Sequence, residues 1–345
     1  MNVLVAGANG FVGSALIPRL VEEGHHIWAL ARTHHSSKKH DKVKWIEGNL
    51  LNPSSLPALK KIDVVYYLVH GLKGEASNFE YQEAMASVNF INWMRHNDLN
   101  PRVIYLGGLG EDKIDLSPHL RSRHLTGSIL GSSGMPLIEF RASIILGEGS
   151  LSFEMIKAIA ERIPFRPEMS ILGHACQPLG LGDLLKYLTG ALQLTTTGHE
   201  IIEIGGPDTA TYGELIDLYA ELAGIKRKII KLPEVEPKVL MKALDYAIPE
   251  HSSIGKKLTE SLTHPTVLTN DSAKKFFPEI EPKSLRVAMD LAHSTSKTHY
   301  APLWEKDFLK MLLSDKLLTQ SGLLSPDLLK NLEKVGRLRD IFSRK

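Results

Sequence analysis

His119 and Arg123 stand four residues apart in a stretch that opens with Ser117-Pro118. The stretch Ser117 to Ser132, lying between two apolar strands, reads as a helix. Four residues along a helix return to the same face, so the spacing sets an imidazole beside a guanidinium. The imidazole exchanges protons near neutral pH, while the guanidinium keeps its charge and depresses the pKa of a neighbouring imidazole. Proton relay beside a fixed positive charge is the chemistry that such a pair can do.

A second set is Gly7, Gly10 and Gly13, within Val3-Leu4-Val5-Ala6-Gly7-Ala8-Asn9-Gly10-Phe11-Val12-Gly13. An apolar run enters this turn, and Phe11, Ala15, Leu16, Leu20 and Val21 follow at helical spacing, so it reads as strand, bend and helix. The free N–H groups at the start of such a helix receive a pyrophosphate. Gly7 makes the bend, Gly10 lets backbone approach phosphate, and Gly13 lets the helix lie close on the sheet. The next strand, Ile27 to Ala31, is followed by Arg32 where a carboxylate would bind a ribose 2′-hydroxyl. A guanidinium there suits a 2′-phosphate, with Lys38 adding charge. The expected cofactor is NADP(H) in preference to NAD(H), held by Gly7, Asn9, Gly10, Phe11, Val12, Gly13, Arg32 and Lys38.

These residues need a scaffold, and the chain is long enough to supply one. It has 345 residues, 43% of them hydrophobic, and a net charge of +2, too small to point to nucleic acid. Cys176 is the one cysteine, so no internal disulfide and no cysteine-based metal site is expected, and a reducing cytoplasm fits best. Apolar runs all fall short of the roughly 18 residues that cross a bilayer.

Apolar strands alternate with helical stretches: a short strand at Val43 to Ile46, a helix near Pro53, then Val64 to Val69, a helix from Phe79, Val103 to Leu106, the helix Ser117 to Ser132, and Leu137 to Phe140. Such alternation predicts an α/β fold with a doubly wound parallel sheet, and ligand at the carboxyl ends of its strands. The expected organisation is a binding domain over 1–150 and a smaller mixed α/β lobe over 151–293, with 199–204 returning to the main sheet. Helices are expected at 239–247 and 254–262, and Asp183 is read as the cap of a helix over 184–192. A helical tail over 294–345 carries ten Lys and Arg against six Asp and Glu from Ser296 onward. Trp304, Phe308 and Leu312 share a face, as do Leu328, Leu332, Val335, Leu338 and Phe342. The tail is read as packing on the chain or on a second copy in a homodimer; weak contact with an anionic membrane surface through 303–345 is the sharper alternative.

Several strings carry a family resemblance: the wide glycine spacing, Tyr66-Tyr67-Leu68-Val69-His70, Tyr105-Leu106-Gly107-Gly108-Leu109, Ser117-Pro118-His119-Leu120-Arg121-Ser122-Arg123-His124, Phe140-Arg141-Ala142-Ser143 and Cys176-Gln177-Pro178. Over roughly residues 1–278 the chain resembles extended and atypical short-chain dehydrogenase/reductases, in particular a bacterial NAD(P)H-binding, epimerase/dehydratase-like group. The resemblance implies a Rossmann-type binding lobe with the adenine beside Asn49 and Leu50, and the nicotinamide ribose beside Leu68, Val69, His70, Leu106 and Gly107. It places Gly108, Arg141 and Gln177 toward substrate and implies no metal. The superfamily's serine and Tyr-x-x-x-Lys set is replaced: Gly107-Gly108 stands at the serine position, His119 at the tyrosine and Arg123 at the lysine. The leading expectation is an NADP(H)-dependent oxidoreductase acting on a carbonyl, quinone-like or conjugated small molecule, with His119 and Arg123 catalytic. A dinucleotide-responsive binding or assembly protein without catalysis is the first alternative, and a nucleotide-sugar epimerase or dehydratase the second.

Overall fold

Seven parallel strands make one sheet: β1 (Asn2–Ala6), β2 (His26–Ala31), β3 (Val43–Glu47), β4 (Val64–Tyr67), β5 (Arg102–Gly108), β6 (Leu137–Ala142) and β7 (His199–Ile204), in the order β7-β6-β5-β4-β1-β2-β3. The computed structural model describes residues 1–33, 40–70, 78–110, 116–163, 165–231, 264–297 and 299–300. Lys38, the expected helices at 239–247 and 254–262, and 301–345 of the expected tail lie outside the described residues. The helices used below are α1 (Phe11–Glu22), α2 (Phe79–His96), α3 (Pro118–Gly131), α4 (Leu151–Arg162), α5 (Leu181–Gly190), α6 (Tyr212–Leu222), α7 (Ser272–Phe276) and α8 (Leu285–Thr295).

The strand order reverses at β1, which pairs with β2 on one side and β4 on the other, Val3 facing both Ile27 and Val64 in register. This is the switch point at which doubly wound sheets open a crevice. Period-two alternation divides the buried strands between two cores. Val3, Val5, Tyr66, Ile104 and Phe140 pack with Leu16 and Leu20 of α1 and Leu184 and Leu188 of α5. Leu4, Ala6, Tyr67, Val103 and Tyr105 pack with Phe90 and Met94 of α2 and Leu130 of α3. Burial on both faces explains why these strands read as continuous apolar runs.

Helix starts follow local chemistry. Ser117 Oγ accepts from Leu120 N at the head of α3, with Pro118 in the first turn. Thr211 and Glu214 form a reciprocal capping box at α6. Two expectations change. The helix near Pro53 is a single 3₁₀ turn, Pro53–Ser55, because Pro57 drives Leu56 into extended backbone at φ −86 and ψ 124. Asp183 caps no helix start: α5 already begins at Leu181, and the buried Asp183 carboxylate accepts from Lys186 Nζ (2.7 Å) and the Lys283 backbone N–H (2.8 Å).

The described residues divide into two units, and the chain passes between them more than once. One contains those of Met1–Ile145, Gln177–Pro207 and Thr266–Lys283; the other those of Leu146–Cys176, Asp208–Pro265 and Ser284–Lys345. The range 151–293 thus contributes two segments to the first unit, Gln177–Pro207, which includes the 199–204 expected to return to the sheet, and Thr266–Lys283. One of them carries β7, which extends the sheet beside β6 with Ile202 opposite Phe140. In the second unit α4, α6 and α8 surround Phe153 and Tyr219, whose rings meet edge to face at 5.8 Å. Among the described residues no helix is long and apolar enough to cross a membrane.

Gly7 combines a left-handed backbone, φ +90, with a position where a Cβ would lie 2.6 Å from the Leu68 carbonyl oxygen. Gly24 has φ +89 but open space around it. Gly24→Ala is therefore expected to cost only the left-handed backbone penalty, about 1–2 kcal/mol, and Gly7→Ala about 3 kcal/mol or more, since backbone must also shift. Urea unfolding of the two variants checks the difference.

Candidate functional site

Main-chain hydrogen bonds close the glycine turn. Gly7 and Ala8 donate to the Leu30 carbonyl (3.2 and 3.1 Å) and Gly10 donates back to Gly7 (2.9 Å). The Ala8 Cα would stand 3.0 Å from a Cβ on Gly13, so Gly13 is required by the turn itself rather than by the sheet below. Among the described residues no side chain caps α1, which starts from extended backbone at Gly10 with no acid in its first turn. The N–H groups and positive dipole end of α1 thus face the switch point with no protein anion capping them among the described residues, a fit for a dinucleotide pyrophosphate. Phe11 and Val12 are half-buried at the start of α1, Val12 packing against the core.

Asn9 Nδ2 donates to the Thr33 carbonyl (2.6 Å), pinning the turn to the chain just past β2. Arg32, beside Thr33, is exposed. Asn49 Oδ1 accepts from Leu51 N (3.0 Å) in a local turn, and its N–H donates to Ser55 Oγ (2.8 Å). The carbonyl expected to meet adenine is therefore shared with the backbone. Leu50 is buried, its carbonyl accepting from Asn89 Nδ2 (2.7 Å).

The carboxyl end of β4 meets the glycine turn directly, since Leu68 N donates to the Ala6 carbonyl (2.9 Å). Leu68 and Val69 pack toward opposite cores, and the chain then reaches His70. His70 Nδ1 lies 2.7 Å from Glu83 Oε1 of α2. The other Glu83 oxygen accepts from Ser122 Oγ of α3. The His119 ring stands 5.0 Å from the His70 ring, tilted by 39°. Glu83 is only 6% exposed. Burial alone would raise its pKa, but the His70 imidazole, the Arg123 guanidinium and the Ser122 hydroxyl outweigh burial and hold the carboxyl well below its usual range. An ionised carboxylate only accepts, so His70 Nδ1 carries the shared hydrogen.

Arg123 donates through Nη2 to the Leu106 carbonyl of β5 and lies over the Tyr105 ring, 5.4 Å from its centroid. Tyr105 Oη donates to the Arg123 carbonyl (2.9 Å), and burial pushes its phenol well above the usual range, so it is no replacement for a catalytic tyrosine. Gly107 and Gly108 are closely packed. A Cβ on Gly107 would lie 3.3 Å from Glu139 Oε1, and one on Gly108 would lie 2.7 Å from Leu120 Cδ2. The Gly108 carbonyl faces His124 Nε2 at 3.0 Å.

Arg141 and Gln177, expected to meet substrate, are occupied inside the protein. Arg141 Nε donates to Glu139 Oε1 (2.8 Å), and the fully buried Glu139 also holds His199 Nε2 (2.7 Å). Alternation along β6 sets Glu139 and Arg141 on one face, which makes the pairing inevitable once both are buried. Gln177 donates to the Gly206 carbonyl (2.7 Å) and accepts from Leu268 N (3.0 Å). Glu83, Ser122, Glu139 and His199 escape a reading of motifs. Glu83 leaves one trace: it lies on the stripe Phe79, Glu83, Ala86, Phe90, an acid on the apolar face of α2.

Residues 3–110 match the NAD dependent epimerase/dehydratase family. Over 186 residues the chain is 24% identical to a 2-alkyl-3-oxoalkanoate reductase of Stenotrophomonas maltophilia, covering 47% of this chain and 56% of that one. The match thus spans little more than half the reductase's length. Over 250 residues the chain is 22% identical to a photosystem II assembly factor of Cyanophora paradoxa, covering 68% of this chain and 72% of that one. Among solved structures, the enzyme WbmH of Bordetella bronchiseptica in complex with NAD+ superposes with a TM-score of 0.61 at 15% identity, over 85% of this chain and 97% of that one. At that identity the likeness shows the fold, the Rossmann-type sheet described above.

Two outcomes follow from the site's electrostatics. A carboxyl whose folded pKa is depressed stabilises the protein above its unfolded value, near 4.5 for Glu83, and loses that contribution as pH falls toward the folded value. The urea midpoint of Glu83→Gln should lie below wild type from pH 5 upward, with the gap closing below about pH 4.5. Cys176 is fully buried, and burial together with the Glu214 charge pushes its thiol up to about 12. It should resist iodoacetamide at pH 8 in the native protein and react only on unfolding, as mass spectrometry of the labelled peptide would show.

Proposed function

We propose, from the premise that this chain is an extended short-chain dehydrogenase/reductase-like protein with a nicotinamide-dinucleotide-binding half, that it is an NADP(H)-preferring oxidoreductase acting on a small carbonyl, quinone-like or conjugated substrate. The observation that carries the reading is the meeting of the glycine turn with the end of β4, two residues before His70 and its neighbour His119. When bound, the dinucleotide supplies or accepts a hydride. The chain's own residues do the rest. The first-turn amides of α1 hold the pyrophosphate, and Gly7 leaves room where a Cβ would not fit. Exposed Arg32 anchors the adenosine end through a 2′-phosphate, a bidentate contact that a ribose hydroxyl does not offer. His119 gives a proton to the substrate oxygen in reduction and takes one in oxidation, in the role that tyrosine has elsewhere in the superfamily. Arg123, fixed by the Leu106 carbonyl and the Tyr105 ring, keeps a positive charge beside that proton transfer.

A second reading is favoured by the similarity to an assembly factor over 68% of the chain. In it the glycines at the serine position and the loss of tyrosine and lysine mark a dinucleotide-responsive binding protein without turnover.

Calorimetry and turnover separate the two. NADPH should bind at least about tenfold more tightly than NADH, a difference that Arg32→Glu removes. NADPH oxidation over a panel of aldehydes, 3-oxo esters and quinones should find an acceptor, and His119→Phe should lower kcat by about 10²–10⁴ with the NADPH Kd unchanged. Tight NADPH binding without turnover on any acceptor would establish the second reading.

A further inference from the structure

Glu83 is a buried, ionised carboxylate that the reaction above does not use, yet both of its oxygens are committed, one to His70 and one to Ser122. Two hydrogen bonds from two elements, β4's trailing residue and α3, prevent the carboxylate from turning. With Nδ1–H directed at Glu83, the proton-exchanging atom of His70 is Nε2. The His70 and His119 rings lie 5.0 Å apart between centroids, close enough for a direct or one-water proton transfer.

We propose that Glu83, His70 and His119 form a proton relay: Glu83 positions His70, and His70 passes protons to and from His119. The proposal rests on the oxidoreductase reading for its purpose but not for its test. In the reducing direction His119 loses a proton to the substrate oxygen and becomes neutral. Neutral His70, its Nδ1–H on Glu83, then takes a proton from solvent at Nε2 and passes it on to His119, so that only one of the two rings is cationic at a time. At each step one bond to hydrogen breaks and one forms, N–H for O–H at the substrate, O–H for N–H where solvent protonates His70 and N–H for N–H between the rings, and no atom changes oxidation state within the relay.

The charged and titratable groups around His70 agree with a relay that carries one positive charge. From α2 come Glu83 and, farther out, Glu80, which pairs with Arg121 at 2.9 Å. From α3 come His119, Arg123 and His124. From β4 and β5 come the phenols of Tyr67 and Tyr105, both pushed well above their usual range by burial and so neutral throughout. The Arg123 charge disfavours two imidazolium ions side by side, while Glu83 compensates for one.

Ring-labelled histidine followed by nuclear magnetic resonance in the full-length protein without substrate is the test, with His70→Gln and His119→Phe assigning the two signals. In wild type the two rings should titrate as a coupled pair, and His70 should show the Nδ1–H tautomer when neutral. Glu83→Gln should lower the His70 midpoint by about one unit or more and move the His119 midpoint with it. Ser122→Ala, which keeps the carboxylate, should shift both by less. A His119 titration identical in wild type, Glu83→Gln and His70→Gln, each still binding NADPH, would overturn the relay. Where an acceptor is found, Glu83→Gln should displace the pH profile of kcat and leave KM within about twofold. An unshifted profile would count equally against the relay. If no acceptor turns over, the oxidoreductase reading fails, and the coupled titration still decides the relay.

Discussion

The approach of Gly7 to the Leu68 carbonyl is the constraint on which the site depends. It brings the bend after β1 against the end of β4 with no side chain between them, in a backbone conformation that only glycine takes without strain. Every other feature of the switch point follows from that contact. The turn closes on itself through Gly10, α1 starts without a protein cap, and β4 delivers His70 to the edge of the crevice. A longer side chain at Gly7 would push the turn away from β4 and separate the first-turn amides of α1 from the histidines.

The second organising feature is the way α3 is held. Its buried face is Leu120, Ser122, His124, Thr126, Gly127 and Leu130, which offers little apolar area. Hydrogen bonds replace packing: Ser122 to Glu83, His124 to the Gly108 carbonyl, Arg123 to the Leu106 carbonyl, and Tyr105 to the Arg123 carbonyl. Gly127 leaves space for the Glu139 carboxylate beneath the helix. Such a helix is fixed in rotation and height, because buried polar groups that lose a partner cost more than apolar contacts that slide. Fixing α3 fixes His119 against His70, the geometry that proton transfer requires.

Two buried carboxylates thus flank α3, Glu83 from α2 and Glu139 from β6, and each is answered by a histidine from a separate element. The pattern also explains why Gly107-Gly108 stands where a serine is found in related enzymes. Space at the end of β5 is filled by the Glu139 carboxylate, the Tyr105 ring and Leu120, so a side chain there would compete with the groups that hold α3.

The sheet and its alternation with helices, α3 among them, were legible in the sequence, since each depends on short-range periodicity. The glycine turn was legible as a strand-to-helix bend, but the groups that its glycines crowd were not: Gly7 meets the distant Leu68 carbonyl, and Gly13 meets Ala8 of the turn rather than the sheet. The helix expected near Pro53 failed on a local detail, the proline two residues past the 3₁₀ turn. What only the tertiary structure decided is which polar groups meet. Glu83 reaches Ser122 across 39 residues and Glu139 reaches His199 across 60, while Arg141 pairs with Glu139 two residues away on the same strand face. Strand register and helix height choose those partners, and neither quantity is written in the periodicity of any one segment.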